Sequence, residues 1–119
     1  MKTNIRTKAG FTLVEIMIVV AIIGLLAAIA IPNFVRARTT AQKNACINNL
    51  RQIDGAKEQW ALENKKKDGD TPTSAELFGA SLYMRDSPTC PADGAAYTLQ
   101  PVGTKQSCVN GPTLSHLLP

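Results

Sequence analysis

The chain has 119 residues, 45% of them apolar, with three cysteines, one histidine and a formal net charge of +4. That length holds one small domain, too thin in its core to stand without help from a disulfide, a metal or neighbouring subunits. The excess charge does not mark a polyanionic partner, because Lys2, Arg6 and Lys8 precede a long apolar run, where basic residues set membrane orientation.

Composition divides the chain into residues 1–10, 11–35, 36–67 and 68–119. The first part, MKTNIRTKAG, is short, basic and free of acids. The second is apolar, and Ile16 to Ile31 runs without a charged or polar side chain. One carboxylate, Glu15, stands near its start. An ionised acid at the bilayer centre costs about 2.5–3.5 kcal/mol even on the lenient insertion scale, so it needs a compensating partner.

Three readings compete for this region. A secretory signal peptide cut after Ala28-Ile29-Ala30 gains nothing from Glu15 and places Pro32 close after the cut. A permanent anchor from Phe11 to Val35 is long enough to span, but it too leaves the acid without a role. Cleavage between Gly10 and Phe11 gives it one. The new α-amino group would lie one helical turn from Glu15, since positions i and i+4 share a helix face. In a packed assembly the same acid could meet the amino group of a neighbouring subunit and fix its register.

Lys8-Ala9-Gly10 followed by Phe11-Thr12-Leu13-Val14-Glu15, with Gly24, Pro32 and the small-residue run Leu25 to Ala30, resembles the cleavage and methylation signature of type IV pilins and type II secretion pseudopilins. The resemblance covers roughly Lys8 to Arg38. It implies that a prepilin peptidase cuts after Gly10 and methylates Phe11, and that Glu15 aligns subunits in a filament. It implies an α+β, pilin-like fold: a long N-terminal helix, its first half transmembrane, packed on a small antiparallel sheet. The implied partners are further copies of the chain in a helical polymer, the peptidase, inner-membrane assembly machinery and the membrane. The implied location is the bacterial inner membrane as a single-pass precursor, then a periplasmic or extracellular filament.

A helix from Phe11 to Lys67 would be about 85 Å long at 1.5 Å per residue. Gly24 and Pro32 are its expected points of flexibility, Pro32 because it removes an internal hydrogen bond. Cys46, Leu50, Ile53 and Trp60, with Ala56, form an apolar stripe of helical period, expected to carry the small domain. Arg51, Asp54, Lys57 and Glu58 occupy the intervening polar positions. Lys65, Lys66 and Lys67 suit the last turn, and Gly69 offers a stop.

Beyond the stop, Thr73-Ser74-Ala75-Glu76 has capping-box spacing and predicts a short helix from Ser74 to Leu82. Ala96 to Gln100 and Lys105 to Val109 predict a hairpin, with Asp93-Gly94 as the turn before it.

Three cysteines cannot all pair within one chain. Cys90 and Cys108 lie in the turn-rich tail, and exported small domains favour disulfides, so these two are the expected pair. Closing that loop would contribute about 3 kcal/mol. Cys46 then reads as a small buried apolar residue. The rival is a Cys3His zinc set completed by His116, against which stands the lack of any close ligand spacing. Asp68 and Asp70 lack the further carboxylates of a calcium loop.

No base is paired with a nucleophile and no glycine-rich phosphate loop follows a strand, so neither an enzyme nor a cofactor is expected. Nucleic acid is not an expected partner, since Lys65 to Lys67 are followed at once by Asp68 and Asp70. Within the family resemblance, a type IV pilus subunit and a secretion pseudopilin are both open. The major pseudopilin usually carries an acid-rich C-terminal calcium loop, and this chain has no acid after Asp93. A secreted or anchored binding module is the alternative of another class.

Overall fold

The structure, a computed structural model, describes residues 8–111 and 116–119. Lys2 and Arg6 of the basic leader, and Leu114 near the C terminus, lie outside the described residues. The helices named among the described residues are α1, Leu13–Glu63, and α2, Ser74–Leu77. The chain parts into two compact units, one ending at Arg36 and one comprising Ala37–Pro119.

In the first unit α1 is long and apolar enough to cross a membrane by length and composition. It continues through Gly24 and Pro32 without a break. Its large apolar side chains from Leu13 to Val35 are all more than half exposed or close to it, so this unit has no core of its own.

The second unit is organised by the other half of α1. The expected stripe is its buried face: Cys46, Leu50, Ile53, Ala56 and Trp60, joined by Lys57 and Ala61. Ile53, Ala56, Trp60 and Ala61 pack with Leu77 and Val102, flanked by Phe78, Tyr83, Met84, Tyr97 and Leu99. Further back along the helix, Cys46 and Leu50 pack with Cys90 and Cys108. Lys57 does not belong to a solvated face. Its ammonium is 2.8 Å from Asp54 and donates to the carbonyls of Thr104 at 2.8 Å and Pro101 at 3.4 Å.

The helix stops earlier than Lys67. Lys65 takes a left-handed conformation, φ 52°, and the Lys66 N–H returns to the Ala61 carbonyl at 2.8 Å, the long bond of a Schellman ending. Gly69 is therefore not the stop. The Lys66 ammonium instead lies over the Trp60 ring, 5.6 Å from its centroid.

The capping box of Thr73 and Glu76 is present, with the Thr73 N–H 2.8 Å from the carboxylate. The helix it opens is only Ser74–Leu77, shorter than the expected span to Leu82. Phe78 turns extended, and the Gly79 N–H and Met84 N–H bond to Met84 and Leu77 carbonyls, which diverts the backbone into a β-bridge.

The expected antiparallel sheet is absent among the described residues, which hold only the isolated bridges Phe78 to Met84, Thr89 to Ala96 and Ser107 to Leu117. The hairpin of Ala96–Gln100 and Lys105–Val109 fails for a local reason. Gln106 spends its side chain on the opposite segment: Oε1 accepts from the Gln100 N–H at 3.1 Å and Nε2 donates to the Thr98 carbonyl. Its own N–H goes to Asp54 on α1, 3.1 Å away. A single amide side chain thus replaces the backbone ladder, and Pro101 has no N–H to restore it. Fold and sequence therefore agree on the long helix and its packed face, but not on the sheet.

Candidate functional site

Two constellations carry the chemistry, one in each unit. At the start of α1, Gly10, Phe11 and Thr12 precede the first helical residue, Leu13. Thr12 caps the helix. Its N–H and hydroxyl donate to Glu15 Oε2 at 2.8 and 3.0 Å, and its Oγ1 accepts from the Glu15 N–H at 3.3 Å. This is a reciprocal capping box, which satisfies N–H groups that a helix start leaves unpaired.

Phe11 is accordingly not on a helix face with Glu15 in the uncut chain. Thr12 is the residue that the sequence reasoning passed over, although Thr12-Leu13-Val14-Glu15 has the same spacing as the box recognised at Thr73. The carboxylate is held by local bonds on a fully exposed surface, with Phe11 87% exposed beside it. The cleavage position between Gly10 and Phe11 lies in non-helical backbone just ahead of the cap.

The second constellation is buried. Cys46, Cys90, Cys108 and His116 all lie within the core, and one ligand atom from each falls within 4.8 Å of all the others. Cys46 Sγ is 4.0 Å from Cys90 Sγ, and His116 Nδ1 is 3.9 Å from Cys90 Sγ. The three thiols are free.

Four separate segments supply these groups. Helix α1 presents Cys46. Cys90 opens a tight turn in which its carbonyl accepts from the Gly94 N–H at 2.7 Å and its own N–H reaches the Ala95 carbonyl at 2.8 Å. Gly94 adopts φ 75° there, a left-handed conformation that a side chain would disfavour. Cys108 opens a second turn, its carbonyl accepting from the Gly111 N–H at 2.9 Å. The Asn110 side-chain amide donates to Asp93, which ties the two turns together. The bridge between Ser107 and Leu117 brings His116 alongside.

Burial pushes the Cys46 thiol up to about 12, an effect opposed by the Tyr97 hydroxyl, which donates to its sulfur at 3.3 Å. The Cys108 thiol is also raised, again chiefly by burial, with the Asn110 backbone N–H acting against the shift. Asp93 stays below the usual carboxylate range because the Ala95 N–H and then Asn110 donate to it. Asn49 Nδ2 lies 3.4 Å from the Tyr97 oxygen and 3.3 Å from the Thr89 carbonyl, so helix, tyrosine and cysteine turn form one chain of contacts. A surface cavity of about 210 Å³, lined by Thr39, Thr40, Gln42, Lys43, Ala92 and His116, approaches the cluster from solvent.

Residues 5–31 match the family described as the prokaryotic N-terminal methylation motif. Among curated proteins, the chain is 46% identical over 57 residues to the type IV major pilin protein PilA of Myxococcus xanthus, covering 48% of this chain and 26% of that one. It is 42% identical over 86 residues to the type IV major fimbrial protein FimA of Dichelobacter nodosus, covering 71% and 54% respectively. It is 29% identical over 86 residues to the type II secretion system core protein G of Dickeya chrysanthemi, covering 72% and 54%. The chain thus spans between a quarter and about half the length of these relatives. No solved structure matches it.

Proposed function

We propose that this chain, which carries the prepilin methylation motif and has type IV pilins and type II secretion pseudopilins as its homologues, is a structural subunit of a type IV pilus-like filament. Proteins of this kind are structural and non-enzymatic. The precursor sits in the inner membrane through the first half of α1, and prepilin peptidase cuts between Gly10 and Phe11 and methylates Phe11. Assembly machinery then moves the subunit from lipid into a helical homopolymer.

The observation that carries this reading is the exposed apolar side chains from Phe11 to Val35, with one carboxylate, Glu15, close to the cleavage position. Such a surface requires lipid or neighbouring helices. In the uncut chain Glu15 is occupied by Thr12. Cleavage creates an ammonium group one residue before that cap, and the acid can then serve a neighbouring subunit's terminus as well as its own helix start. Gly24 and Pro32 are the positions at which the helix loosens on leaving the bilayer.

A secretion pseudopilin remains the second reading, supported by the match to core protein G over 72% of the chain. Both readings share processing and polymerisation. Mass spectrometry of the protein purified from envelope fractions tests that shared part. A mature chain beginning at methylated Phe11 supports it; a chain beginning at Ile31 leaves an exported or anchored binding module instead. Filaments on the cell surface support the pilus, whereas filaments confined to the periplasm support the pseudopilus.

A further inference from the structure

We propose that Cys46, Cys90, Cys108 and His116 form a structural metal site that binds one zinc-type divalent ion in tetrahedral coordination. The site is independent of how the N-terminal helix is processed, so it goes beyond the filament reading.

Geometry supports the assignment first. A tetrahedral ion with sulfur ligands at about 2.3 Å and nitrogen at about 2.0 Å separates them by roughly 3.5–3.8 Å along each edge. The distances of 4.0 Å from Cys46 to Cys90 and 3.9 Å from Cys90 to His116 are close to those edges, and all four donor atoms fall within 4.8 Å of one another. Small side-chain rotations suffice to close the set. Four ligands from protein leave no open position, which marks a structural rather than a catalytic centre. Thiolates with an imidazole select a soft or borderline ion over calcium or magnesium.

The surroundings fit the same chemistry. The Tyr97 hydroxyl donates to the Cys46 sulfur at 3.3 Å, so one of the four ligands already has an outer partner that orients it. A hydrogen bond donated to a ligand atom orients it and tunes the ion. Loading is balanced: three S–H protons pass to solvent as three sulfur–metal bonds form, and His116 contributes a neutral nitrogen lone pair. Without an ion, three buried thiols and a buried histidine share a pocket to no structural gain.

Core size gives the site a purpose. Among the described residues the cluster around Cys46 and Cys90 has Leu50 as its one fully buried large aliphatic side chain, flanked by the half-buried Ala92, Tyr97 and Leu118. Cross-linking α1, the two cysteine turns and the C-terminal segment through one ion replaces packing that a unit of this size lacks. The expected Cys90 to Cys108 disulfide would tie only two of those four segments. It would leave Cys46 and His116 buried beside it.

The test uses the full-length mature chain purified in detergent without reductant or chelator. Elemental analysis should find one zinc per chain. Alkylation followed by peptide mapping should find all three cysteines protected, and all three modified after chelation. Replacement by cobalt(II) should give thiolate-to-cobalt charge transfer and the visible bands of a tetrahedral site. Tyr97→Phe should keep the bands but weaken metal affinity about tenfold, as loss of a hydrogen bond to a ligand atom does. His116→Asn should keep the charge transfer and shift the visible bands. Less than a tenth of an equivalent of metal, together with a Cys90–Cys108 cross-linked peptide, would overturn the proposal. So would a cobalt spectrum unchanged in Cys46→Ser. Either result leaves Phe11 processing untouched, so failure here and failure of the filament reading are told apart by the N-terminal mass.

Discussion

Lys57 and Asp54, one turn apart on α1, meet at 2.8 Å with the lysine side chain 2% exposed and the aspartate 27% exposed. The pair does more than neutralise itself. Lys57 also donates to the Thr104 carbonyl and Asp54 accepts from the Gln106 N–H, so together they fasten residues 101–106 to the helix. Removing one member leaves the other with an uncompensated buried charge or unmade bonds. Lys57→Ala is therefore expected to cost about 3 kcal/mol, the low end for a broken buried pair. Denaturant unfolding followed by the single tryptophan, Trp60, measures it. A loss under about 1 kcal/mol would show the pair to behave as a surface bridge.

The ending of α1 offers a stabilising change. Lys65 holds φ 52°, where a side chain costs roughly 1 kcal/mol and glycine costs almost nothing. Lys65→Gly should raise the unfolding free energy by up to about 0.5 kcal/mol, after allowance for the greater freedom of glycine in the unfolded chain. Lys66 keeps its place over Trp60. An unchanged or lower midpoint would mean that the Lys65 side chain makes a compensating interaction.

The second helix predicts a pH dependence. Thr73 donates to Glu76 through its N–H and hydroxyl and holds that carboxyl below its ordinary value. A folded pKa that is depressed gives stability present above the unfolded value, about 4.3, and lost as pH falls through the folded one. The gap in melting temperature between the wild type and Thr73→Ala should be roughly a few degrees near pH 6 and close on acidification below about pH 4. A gap that persists at pH 3 would show that the threonine acts without the carboxylate.

At the head of α1 the cap and the proposed alignment role of Glu15 can be separated. Glu15→Ala should be processed and inserted normally yet yield on the order of tenfold fewer filaments, about 1.4 kcal/mol lost per assembly contact. Thr12→Ala removes the cap and retains the acid, and its filament yield should stay near wild type. Immunoblots of processed subunit against sheared filament give both numbers. Equal losses in the two variants would assign the effect to helix capping alone.

Periodicity made the helix and its packed face legible: Cys46, Leu50, Ile53, Ala56 and Trp60 are the face that the structure buries. Lys57 escaped because polarity placed it with solvent, while its carbonyl partners lie 44 and 47 residues away. The capping box at Thr73 was visible, and the one at Thr12 was hidden by an apolar context that drew the helix start to Phe11. The strands of the expected hairpin were indistinguishable from irregular segments, since nothing local reveals that Gln106 turns its amide across to Thr98 and Gln100. Closeness in sequence was likewise the wrong criterion for the cysteines. Their approach depends on two turns locked by Asn110 and Asp93, a tertiary contact between residues 17 positions apart.

The substitution of one glutamine side chain for a backbone ladder also bears on solubility in crowded arrays. A sheet would end in an outer strand with free amide and carbonyl groups, which is a template for unwanted pairing between adjacent molecules. Here the described C-terminal residues form only single bridges, and the Gln106 N–H and the Pro101 and Thr104 carbonyls are turned inward to Asp54 and Lys57 on α1. In a filament of the kind proposed, adjacent copies would therefore display this region at high local density without offering a seed for amyloid-like stacking.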